Sequence, residues 1–176
     1  MDAETRRRRI TTAGILLGLG LGGFFDGIVL HQILQWHHMV SSVSDYPTTT
    51  VAGLEANTLA DGLFHAATYI FTVTGIAVLW TVIRLPNGRW ATRGFLGLLI
   101  LGWGIFNVVE GLVDHHLLGV HHVREDTSRQ LAWDVAFLAW GALMIAGGWY
   151  LYRAGRDISP AREETEGRQP EPSRTP

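Results

Sequence analysis

The sequence predicts an all-α protein, a four-helix transmembrane bundle with both termini in the cytoplasm. Three observations carry this. The chain of 176 residues is only 17% charged and 47% hydrophobic, where an average globular chain is about 25% charged. Its apolar residues fall in four blocks, each near the roughly 20 residues a helix needs to cross about 30 Å of hydrocarbon. Its arginines gather at one end of those blocks. Four core helices of a soluble protein are the alternative, and the length of the apolar runs argues against it.

The first block covers residues 10–30 and is broken only by Asp26. Arg6, Arg7, Arg8 and Arg9 precede it. Residues 1–9 read as a basic cytoplasmic arm that anchors topology, and so short a basic run does not suggest nucleic-acid binding. The block is too long for a cleavable signal peptide, and Phe24-Phe25-Asp26 offers no small-residue cleavage pattern, so it is read as a retained span. Gly14, Gly18, Gly22, Gly23 and Gly27 would let another helix approach closely.

The second block, 66–83, carries no charge. Its helical pattern starts earlier, near Leu54. Thr58, Asp61, His65, Thr68, Thr72 and Gly75 fall on one face, a polar stripe that should face the bundle interior. Pro86-Asn87-Gly88 reads as a tight inner turn. In the third block, 94–113, Asn107, Glu110, Gly111, Asp114 and Leu118 share a face. His115 sits at its edge and His116 points roughly opposite. Gly119 suits a helix C-cap. Thr127-Ser128-Arg129-Gln130 resembles a capping box. It opens the fourth block, 131–152, where Gln130, Asp134, Gly141 and Gly148 share a face. The membrane domain is expected over 10–152, with spans at about 10–33, 58–83, 94–117 and 129–152. Residues 153–176 are expected to be a disordered cytoplasmic tail, since 159–176 holds four of the six prolines and many charges. No internal repeat and no second domain are expected.

Orientation follows from arginine alone, because the chain has no lysine. Only Arg124 and Arg129 of the fourteen basic residues lie on the far side of the spans. The positive-inside rule then places both termini in the cytoplasm. The loops at about 40–58 and 118–128 face outward.

Depth brings the polar residues together. At 1.5 Å per residue from the inner boundary, Asp26 lies about 24 Å across and Glu110 about 26 Å. His65 and Asp134 lie at about 29 Å, His31 and Asp114 at about 32 Å, His115 at about 33 Å and Asp61 at about 35 Å. All four helices therefore contribute imidazole or carboxylate to one layer about 10 Å thick near the outer surface. All eight histidines lie at that end. Ionisable groups inside a membrane are costly, and by default they mark function. With no cysteine in the chain, disulfides and thiolate ligands are excluded. Imidazole with carboxylate suits zinc, copper(II), iron or manganese. Copper(I) is less favoured, because Met39 is the only methionine near the layer.

The expected metal ligands are His31, Asp61, His65, Glu110 and His115, followed by Asp26, Asp114 and His38. Asp134 and Asn107 are candidates for holding those ligands. Asp61 and His65, one turn apart, could both bind one ion, or the carboxylate could orient a ligating imidazole. His37, His38, His116, His121 and His122 could equally be plain interfacial residues. A bis-histidine haem site is a second reading, and a hydrogen-bonded proton path is a third.

The motifs resemble a known family. They are Phe24-Phe25-Asp26-Gly27-Ile28 with His31 and Gln35-Trp36-His37-His38, then the stretch Asn57-Thr58-Leu59-Ala60-Asp61-Gly62-Leu63-Phe64-His65. Asn107 follows, with Glu110-Gly111 and Asp114-His115-His116. Together they resemble the bacterial four-span membrane proteins of domain of unknown function 2243, over about residues 10–152. The resemblance implies a place in the bacterial inner membrane and an association with respiratory oxidase assembly and copper-handling proteins. It assigns no catalytic residues.

The expected function is metal binding and handling at the extracytoplasmic face, copper or zinc first. A membrane metalloenzyme with a mono- or dinuclear iron, copper or zinc centre is the rival, and a haem-binding redox protein the third possibility. The expected partners are the lipid bilayer, a metal ion and oxidase assembly factors, with no nucleic acid. Topology has a direct check. Reporter fusions at residue 176 should be active only in the cytoplasm, and an outward C-terminus would invalidate the depths given above.

Overall fold

The computed structural model describes residues 1–84 and 91–156. The Pro86-Asn87-Gly88 turn and the tail beyond Arg156 lie outside the described residues. Four helices form: α1 (Ala3–Phe25), α2 (Val51–Ile83), α3 (Thr92–Glu110) and α4 (Gln130–Arg156). α1 and α3 continue as π-helical segments, Asp26–Ile33 and Gly111–Leu117. Among the described residues there is no strand. Each of the four spans is long and apolar enough to cross a membrane, and the chain is an integral membrane protein.

The helices are longer than the sequence suggested, and their caps explain why. Asp2 accepts from Thr5 N at 2.7 Å, so the basic arm is the first turns of α1 and not a separate segment. Thr50 accepts from Gly53 N at 3.1 Å, which starts α2 at Val51. At the start of α4, Thr127 Oγ1 accepts from Arg129 N at 3.2 Å, one residue short of capping-box register. α4 runs on to Arg156, beyond the boundary expected near 152.

α1 packs on α2 and α3, and α3 packs on α1 and α4, so the order across the bundle is α2, α1, α3, α4. The inner pair is half buried along its apolar stretch, whereas α2 and α4 bury about a sixth of theirs. Leu59, Leu63, Ile70 and Ile76 of α2, with Val135, Trp140 and Leu143 of α4, point outward. In water such surfaces would drive aggregation; against lipid they are the expected exterior. The polar stripe of α2 does face inward at Asp61, Thr68 and Gly75, but Asn57 takes the place expected of Thr58.

The inner helices cross through small residues. A Cβ on Gly14 would sit 2.6 Å from Leu98 Cβ. One on Gly18 would overlap the Leu99 carbonyl oxygen and lie 2.8 Å from Gly102 Cα. One on Gly22 would lie 3.0 Å from Phe106 Cδ1. The facing pairs 14/98, 18/102 and 22/106 share one offset, 84 residues. A residue that faces its own counterpart lies near a two-fold axis. The flanking helices obey the same relation with an offset of 73. Gly75 would meet Leu17 and Gly148 would meet Leu101, while Gly27 would meet Phe64 and Gly111 would meet Phe137.

The chain is therefore two helical hairpins, α1–α2 and α3–α4, related by a pseudo-two-fold axis between α1 and α3. This corrects the expectation of no internal repeat. Unequal loops hide it: 35 residues separate Asp26 from Asp61, and 24 separate Glu110 from Asp134. No single period fits both halves. The crossing has a measurable consequence. Gly18→Ala should destabilise the detergent-solubilised protein by about 1–3 kcal/mol, the usual cost of overpacking. Gly62→Ala, where nothing lies within 4 Å, should leave its thermal midpoint unchanged.

Candidate metal centre

The centre forms at the end of the bundle away from the termini, where both inner helices leave α-helical winding. In an α-helix, residues five apart point about 140° away from each other. The i→i+5 hydrogen bonding of a π-helix puts them one turn apart on one face. In each inner helix a carboxylate stands five residues before a histidine at this change of winding. Asp26 Oδ2 comes to 3.0 Å from His31 Nε2, and Glu110 Oε1 to 2.9 Å from His115 Nε2.

The two segments end alike. Leu34 N donates to Val29 O and Trp36 N to Leu30 O; Leu118 N donates to Val113 O and Val120 N to Asp114 O. Gln35 (φ 50°) and Gly119 (φ 60°) take the left-handed position, Gly119 as its C-cap expectation requires. An L side chain pays about 1–2 kcal/mol for that conformation, so Gln35 is a strained point where Gly119 is not.

Beyond these turns the chain folds back over the bundle end, carrying His37-His38 in one half and His121-His122 in the other. His37 Nδ1 donates to Val123 O at 2.9 Å, and His121 Nδ1 donates to Met39 O at 3.1 Å. Each loop thus holds the other's histidine, and Met39 and Val123 are themselves counterparts 84 apart. On α2, Asp61 accepts from His31 Nδ1 at 2.9 Å, His38 Nδ1 at 2.7 Å and Met39 N at 2.9 Å. On α4, Asp134 accepts from His122 Nδ1 at 2.7 Å and Val123 N at 2.9 Å, and faces His115 Nδ1 at 3.6 Å. The rings of His37 and His121 stack on the axis, 4.5 Å apart and nearly parallel.

Six side chains remain turned inward: Asp26, His31, His37, Glu110, His115 and His121. None is more than 5% exposed. Asp26 Oδ2, His31 Nε2, His37 Nε2, Glu110 Oε2 and both ring nitrogens of His115 have no hydrogen-bond partner. The short Asp26–His31 and Glu110–His115 contacts are thus not hydrogen bonds: the atoms are close, but the ring axis does not point at the oxygen. A buried unsatisfied polar group costs about 1–3 kcal/mol, and native proteins hold few of them. Several in one cluster suit donors aimed at a common third atom. Two triads have all their donor atoms within 4.8 Å of one another, His31/His37/His121 and Glu110/His115/His121.

Burial pushes the His37 pKa down to about 2, with His121 and His31 adding to the effect, so this ring stays neutral and Nε2 keeps its lone pair. Burial is the largest influence on His121 and acts to lower it, but the hydrogen bond and charge of Glu110, the Met39 carbonyl and the Asp26 charge together outweigh it and raise that pKa above the ordinary histidine value.

Of the residues singled out from sequence, the structure brings Asp26, His31, Glu110 and His115 into the cluster. Asp61 and His38 stand behind it, with Asp61 as the orienting carboxylate, though for His31 and His38 and not for His65. His65 Nδ1 donates to its own helix at Asp61 O, 2.8 Å away, and its ring lies beside Phe24 and Phe64. Asp114 is half-buried outside both triads. Asp134 holds the second loop as Asp61 holds the first. Asn107 reaches only Met144 Sδ, at 4.0 Å. Sequence reasoning passed over His37 and His121 as interfacial, because both follow the helix ends where facing arguments stop. The signal was present in the matched spacing of His31 to His37-His38 and His115 to His121-His122.

A family model described as "Predicted membrane protein (DUF2243)" matches residues 13–155. No curated protein and no solved structure matches the chain.

Asp61 offers a direct test of the scaffold. Asp61→Ala leaves the buried donors of His31 and Met39 without an acceptor. It should cost about 1–3 kcal/mol per orphaned group, read as a fall in the thermal midpoint of the solubilised protein. Thr58→Ala, on the exposed side of the same helix, should not lower it.

Proposed function

The chain belongs to this family of predicted membrane proteins, and we propose that it carries a resident transition-metal centre of imidazole and carboxylate ligands in the extracytoplasmic half of the bilayer. One observation carries the proposal: inward-facing Nε2 and carboxylate atoms left without hydrogen bonds in a fully buried cluster. Metal-ligating histidines characteristically donate their other ring nitrogen to a carboxylate or a backbone carbonyl. Here His31 donates to Asp61, His37 to Val123 O and His121 to Met39 O. The residues that would hold metal are Asp26, His31, His37, Glu110, His115 and His121. Their oxygen and nitrogen donors suit zinc, copper(II), iron or manganese.

Such an ion supplies Lewis acidity or, if redox-active, one-electron chemistry. The protein's own contribution is to exclude water, fix the tautomers and hold six donors in place. That rigidity and burial favour a resident centre over the rapid metal exchange that handling copper or zinc for oxidase assembly would need. Haem fits less well. A macrocycle would have to lie between the rings, and His31 packs 4.4 Å from His37 while His37 packs 4.5 Å from His121.

Elemental analysis of the detergent-purified protein is the test. Stoichiometric zinc, copper, iron or manganese is expected, lowered in His121→Ala and Glu110→Ala and unchanged in His65→Ala. Release over hours in excess chelator supports a resident centre, whereas release within seconds supports handling. A Soret band in the purified protein would establish haem instead. If no metal co-purifies and none of these ions binds when added, the proposal fails.

A further inference from the structure

We infer that the centre is dinuclear, with one ion per hairpin: Asp26, His31 and His37 for the first, and Glu110, His115 and His121 for the second. This rests on the metal centre proposed above and goes further in its nuclearity and in the division of its ligands. Two donors on one ion lie at most two bond lengths apart, about 4.2 Å for nitrogen ligands. The inward donors do not form a single group even within 4.8 Å. Five of the six form two triads that have only His121 in common, His31/His37/His121 and Glu110/His115/His121, and Asp26 stands beside the first through His31 alone, at 3.0 Å, so one ion cannot take all six.

A ring nitrogen has one lone pair to give and serves one ion. Two contacts assign His121 to the second position. Its Nε2 lies 3.1 Å from Glu110 Oε1, a hydrogen bond that an ion between the two atoms would replace once Nε2 gives up its proton, and its ring lies 4.8 Å from His115 against 5.9 Å from His31. His37 lies likewise nearer to His31, at 4.4 Å, than to His115, at 6.3 Å. The second hairpin thus groups its own two histidines with its own carboxylate; in the first, His31 lies between His37 and Asp26, and the axis runs between the stacked His37 and His121. Behind each position stands one further carboxylate, Asp61 or Asp134. The ligand set per position is two imidazoles and one carboxylate, which suits a divalent first-row cation.

The halves differ at one ligand. Glu110 is one methylene longer than Asp26 and reaches both of its histidines, at 2.9 and 3.1 Å. Among the contacts of Asp26, only the one to His31 is as short. The second position is therefore the better enclosed, and it should fill first.

The experiment is a titration of the metal-stripped full-length protein in detergent with zinc(II) alone, followed by removal of free zinc and elemental analysis. Two zinc ions per chain are expected. His31→Ala and His115→Ala should each keep one, and His115→Ala should bind its remaining ion more weakly than His31→Ala binds its own. One ion per wild-type chain overturns the dinuclear assignment and leaves a single metal site standing. No bound zinc, with copper(II), iron(II) and manganese(II) equally unbound, overturns the metal centre itself. A variant that fails to fold is bypassed by electron paramagnetic resonance of wild-type protein loaded with copper(II). A spectrum broadened or quenched by spin coupling at full loading supports the pair, and one of isolated copper(II) at full loading overturns it.

Discussion

Eight carboxylate and imidazole side chains are buried at one end of this bundle: Asp26, His31, His37, Asp61, Glu110, His115, His121 and Asp134. Removing such groups from water costs several kcal/mol for each one that carries charge, and the rest of the structure depends on how that cost is offset. Half of the answer is visible as hydrogen bonds. Asp61 and Asp134 each accept from a histidine and from a backbone amide of the loop that covers them. The loops are thereby fastened to the outer helices. They are also fastened to each other, since Glu125 N donates to Trp36 O and Ser42 N to Val120 O. Arg124 lies over both Trp36 and Trp133, sealing the rim. The other half is the inner cluster, where Asp26, His31, His37, Glu110 and His115 keep atoms without hydrogen bonds that remain costly unless something bridges them. Scaffold and candidate site are one network read from two sides.

The inner helices set where that network can form. Hydrophobic attraction between helices is weak in lipid, so close association needs small residues and good van der Waals contact. Gly18 against Gly102 gives that contact and fixes the pseudo-two-fold axis. The same axis, continued outward, meets the stacked rings of His37 and His121. Between crossing and rings lie the π-segments. An α-helical continuation would have left Asp26 and His31 about 140° apart; the wider π winding turns both onto the axis. π-bulges recur at functional sites for this kind of reason: they change the phase of a helix without breaking its backbone hydrogen bonding, which a membrane would not tolerate.

Much of this was legible in the sequence, and the line between legible and hidden is physical. The four spans follow from composition, a local property. The inward face of α2 at Asp61 and Thr68, and of α4 at Asp134, Gly141 and Gly148, follows from helical periodicity, which holds while the winding is regular. The layer of ligands follows from rise per residue, which a π-turn alters little. Facing does not survive the change of winding. His115, expected at an edge, is buried, and Leu118, expected on the polar face, is 60% exposed. His37 and His121 lay beyond any periodic argument because irregular backbone positions them. The repeat was hidden because its likeness is concentrated where the chemistry is. Gly27/Gly111, Val29/Val113, His31/His115, Leu34/Leu118, His37/His121 and His38/His122 are identical pairs, while the apolar lengths match only at scattered small or apolar positions such as Leu17/Leu101, Gly18/Gly102 and Gly75/Gly148.

That distribution bears on how the two-fold arrangement is kept. If symmetry served only packing, the likeness should persist along the glycine crossing, where the fit is tightest. It does so at the centre, where Gly18 faces Gly102, while on either side Gly14 faces Leu98 and Gly22 faces Phe106, small against large. At the polar end the six inward side chains stay alike in kind, carboxylate for carboxylate and imidazole for imidazole. Packing tolerates exchange of volume across an interface so long as the sum is conserved. A buried polar network does not, because each group must present a particular atom at a particular distance. The one chemical difference among the inner six, aspartate against glutamate, changes reach and leaves the donor atom the same. The likeness of the two halves is thus densest at the polar end and sparser along the apolar length.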